Sequence, residues 1–281
     1  MKNNLFPVLA GALILSGMLI PALCYGQDKE AVIENYLTSL PAGKPENILS
    51  KYRMTAVYTN RDLYGKFMNK IQVTGDYTRG FEDGHMVWNN VFISNSASFT
   101  DPFTEGVKQE YIENFKYFPS DNMLSADAFR NFPSTPENVF ARNLIWDMMG
   151  FEAYSWNFND SLKLNIPYVI NQINGEFDMA EIGKYNHNRI LICWKGISEI
   201  NGELCSVIDF NAVDNIIELT MDQINSKGTE QYWGTVWLSM KTKLIEQAIM
   251  YGGTIQEIEV KGMNNKILVK TIRELNLEKI Q

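Results

Sequence analysis

Four sets of residues in this sequence carry side chains that could do chemistry: two histidines, two cysteines beyond the N-terminal leader, a scatter of strand carboxylates, and a group of tryptophans and methionines. A metal site needs His, Cys or carboxylates at short, fixed spacings. His85 and His187 belong to no HExxH or comparable spacing, so both are read as exposed or hydrogen-bonded side chains. A Cys–His nucleophile requires a thiolate. Cys193 stands in the apolar run ILICW, where a thiol stays protonated. No GxSxG elbow, phosphate loop or GxGxxG turn occurs, so no serine nucleophile, nucleotide site or cofactor is implied.

The carboxylates Glu176, Asp178, Asp209, Glu218 and Glu246 fall in strand-like segments. Two of them converging beside tryptophan platforms would hydrolyse a glycan. Acids alternating with apolar residues are also what a half-solvated strand displays, so the enzyme reading is the weaker one.

The aromatic and methionine residues point to apolar binding. In QYWGTVWLSM, residues 231–240, Trp233 and Trp237 share one strand face, and Tyr232, Gly234, Val236 and Leu238 share the other. A three- or five-residue loop in WLSMKTKLI sets Trp237 opposite Ile245 and Trp233 opposite Ile249. It also sets Leu238 against Leu244 and Val236 against Glu246 on the other face. Both faces are then largely apolar and both need cover. Trp194, Trp146, Met148 and Met149 complete the candidate apolar wall, methionine being suited to surfaces that adapt to varied ligands. Two readings of this wall stay open: a filled core, or a cavity for an apolar guest.

Several elements must position these residues. Lys2, a 16-residue apolar run from Leu5 to Ile20, Pro21 and a small-residue stretch ending at Gly26 have the order of a secretory signal peptide, residues 1–26. The run is shorter than the roughly 20 residues a spanning helix needs, and no later segment is long and apolar enough to span as a helix. Cys24 raises a lipid anchor, but Pro21-Ala22-Leu23 fits an acylation box poorly. Removing Lys2 with the leader takes the net charge from −8 to −9, which disfavours nucleic acid as a partner. A short helix is expected at 28–39. Strands follow in YRMTAVYTN, KIQVTGDYTRGF and HMVWNNVFIS.

Between about 101 and 158 the period becomes helical. Val107, Tyr111 and Phe115 recur every four residues, and Ser125 can cap a short piece through Phe132. In STPENVFARNLIWDMMG, Thr135 suits an N-cap, Pro136 the first turn and Gly150 the residue past the end. From Leu162 strands return, at 162–171, 176–182, 189–197, 203–211, 214–222, 230–240, 243–251, 253–261 and 266–278. Turn signals lie at Asn174-Gly175, Asn201-Gly202, Gly228, Gly252-Gly253 and Gly262 to Asn265. A two-residue turn at Asn201-Gly202 pairs Ile200 with Glu203, Ser198 with Cys205 and Cys193 with Phe210. That separation is too great for a disulfide, although a longer loop centred on Glu199 would bring the thiols opposite each other. Free thiols are the favoured reading.

The expected fold is a β-rich α+β domain over 27–281. Its large antiparallel sheet curves into a half-barrel or barrel, with a helical insertion at about 101–158 packed on or in it. The order GELCSVIDF, QYWGTVWLSMKTKLIEQAIM, GTIQEIEVKG, across about 189–261, resembles the LolA-like periplasmic lipoprotein carriers. The resemblance implies an incomplete antiparallel barrel around helices, with an apolar cavity for acyl chains. No position here matches that family's functional arginine. The leading expectation is an exported, non-catalytic carrier in the periplasm or outside the cell, taking a lipid, an apolar small molecule or an envelope protein. Its rivals are a glycan-active hydrolase and a structural or surface-assembly component.

Overall fold

The computed structural model describes residues 44–280, apart from 134, 136, 159–160 and 172–174. The leader, Cys24, the expected helix at 28–39, Pro136 and Asn174 lie outside the described residues. Strands β1 (Ser50–Asp62), β2 (Phe67–Arg79) and β3 (Met86–Ser96) form an antiparallel meander, as their alternating sequences predict. Two short strands, β4 (Val107–Lys108) and β5 (Phe115–Tyr117), add to the free edge of β3. This corrects the helix expected there. Val107 is exposed while Tyr111 and Phe115 pack on the core, and Asn114 takes a left-handed φ of 57°. A four-residue period is satisfied by two edge strands around one turn of 3-10 helix at Glu110–Ile112. Two further such turns, Asp121–Leu124 and Ala126–Phe129, lie on either side of Ser125.

Helix α1 (Glu137–Trp156) begins where the sequence places it, the Asn138 N–H donating to the Thr135 carbonyl at 3.1 Å. It does not stop at Gly150. Tertiary contacts carry it on: Phe151 is buried, and Glu152 accepts from the Tyr77 hydroxyl at 2.8 Å. The ring of Tyr154 stacks on Phe210 at 4.8 Å. A glycine permits a helix to end but does not compel it.

After the helix come β6 (Tyr168–Ile170), β7 (Gly175–Asp178), β8 (Gly183–His187) and β9 (Arg189–Ile200). Four long strands close the chain: β10 (Glu203–Met221), β11 (Ile224–Ser239), β12 (Ile245–Val260) and β13 (Ile267–Lys279). Strand β13 pairs with β1 as well as β12, joining both ends of the described chain into one open antiparallel sheet of 13 strands. Strand β10 is long enough to pair with β9 along one half and β8 along the other. At the sheet's two ends lie short strands, β4 and β5 on one side and β6 and β7 on the other, which offer little edge for further pairing.

Two pairs of expected strands are single strands. A bulge between Ala212 and Asn215, with Asp214 at φ 57°, lets β10 continue through the break expected after 211. Gly252 and Gly253 remain extended within β12, and the turn assigned to Gly228 forms instead at Asp222 and Gln223. The Asn201-Gly202 turn pairs Ile200 with Glu203 and Ser198 with Cys205, as expected. A bulge beyond Val207 then sets Cys193 against Asp209, one residue short of Phe210. Both thiols are free.

The sheet curves over α1. On its inner face Tyr52, Met54, Val73, Trp88, Ile208, Phe210, Val236, Ala248 and Leu277 are buried against Leu144, Ile145, Met148 and Phe151 of the helix. Each such large side chain contributes about 1.5–3 kcal/mol by burial. Gly75 lets the helix approach: a Cβ there would stand 3.2 Å from Leu144 and 3.1 Å from Trp88. Asp147 pairs with Arg273 of β13, and Asn143 donates to the Tyr58 hydroxyl at 3.4 Å. The helix is therefore held by specific polar contacts as well as by its apolar side.

Candidate functional site

The expected apolar wall is divided by the sheet. Trp194, Met148 and Ile245 are buried in the core, and the Trp194 indole N–H donates to the Gly196 carbonyl at 2.8 Å. Trp146 and Met149 are half-buried on the helix, Trp146 donating to the Met123 carbonyl at 3.0 Å. Trp233, Trp237 and Ile249 point the other way, to the outer face, where Trp233 is 46% exposed and stacks on Tyr251 at 6.2 Å. The register differs from the expected one. A bulge between Trp237 and Leu238 sets Trp237 opposite Gln247, Trp233 opposite Tyr251 and Leu238 opposite Ile245. The two-faced apolar character of the hairpin is real, but only one face is covered. That face is Tyr232, Gly234, Val236 and Leu238, with Phe210 lying over Gly234.

Free apolar surface lies farther along the same strands. Because β10–β13 outrun the helix, their inner-facing residues can be followed outward in register. At the helix margin stand Tyr232, Gly252, Arg273 and Tyr58. The next row out is polar: Asn215, Glu230, Thr254, Thr271 and Asn60. Beyond it the face turns apolar again. Ile217 and Val269 flank Gly228 and Gln256, then come Leu219, Ile258 and Ile267 around Ser226, then Met221, Ile224 and Val260. Most of these apolar side chains are half-buried. A recess of about 520 Å³ opens at the far end, between the turns 221–225 and 259–266.

The outer face of the same strands is charged. Lys227 pairs with Glu218, Lys266 with Glu257 and Glu259, and Lys184 with Glu176 at 2.6 Å. The hydrogen bond and charge of Lys227 hold the Glu218 carboxyl below its ordinary range, and Glu176 raises the Lys184 ammonium. Exposed Ile216, Ile255 and Leu268 stand among these ion pairs on the outer face.

The polar row has its own chemistry. Glu230 accepts from the Tyr185 hydroxyl at 2.5 Å, and the Tyr154 and Tyr232 hydroxyls share a hydrogen bond at 2.8 Å. Burial pushes the Glu230 carboxyl up, and the Tyr185 hydrogen bond opposes this. His187, ringed by Phe177, Tyr185 and Tyr232, is lowered by burial to about 4 and is neutral at physiological pH. The thiols are protonated as well, burial raising Cys193 and pushing Cys205 to about 12.

The five strand carboxylates each have a local partner. Beyond Glu176 and Glu218, Glu246 accepts from Lys279 at 2.7 Å and Asp209 from the Thr235 hydroxyl at 2.7 Å. Asp178 accepts from the Glu181 backbone N–H at 2.9 Å. Among the described residues no group of three or more His, Cys, Asp or Glu could hold a metal ion, and no helix is long and apolar enough to cross a membrane.

No protein-family model matches this sequence, and no curated protein does. Among solved structures, lipovitellin, described for its lipid–protein interactions, has 12% identity and a TM-score of 0.42. That alignment covers 86% of this chain and 26% of lipovitellin's, so the chain spans about a quarter of that protein's length. The hypothetical lipoprotein YmcC from Escherichia coli K12 has 11% identity and a TM-score of 0.21, over 92% of this chain and 97% of its own. A DUF1329 family protein from Desulfovibrio piger has 11% identity and a TM-score of 0.15, over 91% and 92%. Likeness at these levels assigns the chain to no family.

Proposed function

We propose that this chain is an exported, non-catalytic carrier or binding protein for an apolar ligand, which lies on the inner face of β10–β13 beyond helix α1. One observation carries the reading. Past the polar row at the helix margin, the inner face is mostly apolar again for three rows, through Ile217, Leu219, Met221, Ile224, Ile258, Val260, Ile267 and Val269, while the outer face of those strands carries ion pairs. Burying that surface under an acyl chain or similar guest returns roughly 25 cal/mol for each Å² removed from water. Export rests on the leader at 1–26, and a single mature domain on the one continuous sheet.

Organic extraction and native mass spectrometry of the purified protein test this directly. Co-purifying lipid is expected, or uptake of a fluorescent acyl probe by delipidated protein. Introducing Leu219→Asp with Ile258→Asp is expected to reduce probe binding at least about tenfold, since each charge must be desolvated against the guest. Trp233→Ala on the outer face leaves it unchanged. A clean mass with no probe uptake, or loss of uptake from Trp233→Ala alone, overturns the reading.

A further inference from the structure

We propose that the end of the sheet formed by the β1–β2 turn and the β3–β4 loop docks on the surface of an anionic lipid bilayer. Leu63 is 49% exposed, Tyr64 98%, Met68 45% and Phe99 55%, all at this one end. The turn that holds two of them out is firmly built. Asp62 accepts from the backbone N–H groups of Tyr64 at 2.9 Å and Lys66 at 2.8 Å. The Gly65 N–H donates to the Asp62 carbonyl at 3.0 Å, with Gly65 at φ +84°.

The loop is locked to the turn through Phe99. Its ring meets Phe67 edge-on at 6.2 Å, Arg61 lies over it at 5.2 Å, and its carbonyl accepts from Lys70 at 3.1 Å. Lys70 also sits over Phe103 at 4.6 Å. Apolar side chains are thus fixed outward in a setting that spends its hydrogen bonds on the turn and not on hiding them.

Charge selects the occupant. On a chain of net charge −8, this end gathers Arg61, Lys66 and Lys70 around the apolar tips. Lys270, opposite Arg61 in register, adds a fourth cation, against the carboxylates of Asp62, Asp101 and Glu105. Aromatic and aliphatic tips ringed by cations suit the headgroup boundary of a membrane, where apolar area and attraction to anionic lipid act together. Asp62 pairs with Val269 in register, so this edge adjoins the open apolar rows of β12 and β13. Docking there would present those rows to the bilayer.

Cosedimentation with phosphatidylcholine vesicles, with and without phosphatidylglycerol, tests the proposal on the purified protein. Binding is expected to favour the anionic vesicles and to weaken as salt rises. Leu63→Ser with Tyr64→Ser should weaken it roughly tenfold, and Lys66→Glu should remove the preference for anionic lipid, both without changing the thermal midpoint. No binding to either vesicle overturns the proposal, as does equal binding by the variants. Concentration-dependent self-association that the apolar double variant abolishes assigns these tips to a second copy and overturns it too. Vesicle binding and ligand extraction are separate readouts, so this proposal and the ligand reading can fail independently.

Discussion

Strand β11 is buried on its inner face from Gly234 to Leu238 and mostly half-buried on the same face from Ile224 to Tyr232, although it pairs with β10 and β12 along both stretches. The inner half has helix α1 above it; the outer half has none. The difference teaches that apolar alternation in a strand specifies a face that wants cover, and that the length and placement of another element decide whether the cover is internal. Here α1 covers as far as Tyr154 over Tyr232 and Asp147 at Arg273. Past the polar row of Asn215, Glu230 and Thr254 the apolar rows remain for something else.

Substitutions in the two halves should separate sharply in urea denaturation. The largest effect is expected from Phe210→Ala, which empties a 2% exposed site between Gly234 and Tyr154 and should cost about 3–5 kcal/mol. Asp147→Ala should cost about 2–3 kcal/mol, because it strands a largely buried Arg273 without its carboxylate. In the open half, Leu219→Ala should fall within about 1 kcal/mol of wild type. A large loss there would show that the outer rows are structural and break the comparison.

Acid should act at the boundary. Burial lowers His187 to about 4 from its ordinary 6.5, so the unfolded chain binds a proton that the folded chain refuses. That contribution to stability is complete above 6.5 and is lost as the pH falls towards 4. The raised carboxyls of Glu152 and Glu230 act in the opposite sense, their contribution being lost as pH rises through their folded values. The difference between wild type and His187→Gln therefore isolates the histidine: it should shrink from pH 7 to pH 4. The smallest effect should come from Trp233→Ala, exposed on the outer face, at about 0.5 kcal/mol or less.

Some of this was legible in the sequence because it depends on neighbours in the chain. Asn201-Gly202 sets its own hairpin, Thr135 marks a helix start, and alternation sorts Trp233 and Trp237 from Val236 and Leu238. The outer apolar rows were legible in principle too, since Ile217, Leu219 and Met221 alternate with Ile216, Glu218 and Thr220. They were hidden by dividing β10 and β12 at positions that the fold keeps extended. Asp214 takes a bulge there, and Gly252 and Gly253 make no turn.

By itself, then, the sequence determined an antiparallel, β-rich architecture with one strong helix, and which residues share a strand face, because periods of two and turn chemistry are local properties of the chain. Only the tertiary structure decided which face of the tryptophan hairpin is buried, how far α1 runs past Gly150, and where apolar surface is left uncovered. Those outcomes depend on bulges that shift register by one residue and on contacts between segments far apart in sequence, such as Glu152 with Tyr77 and Asp147 with Arg273. A local pattern can demand burial, but it cannot say which distant element will provide it.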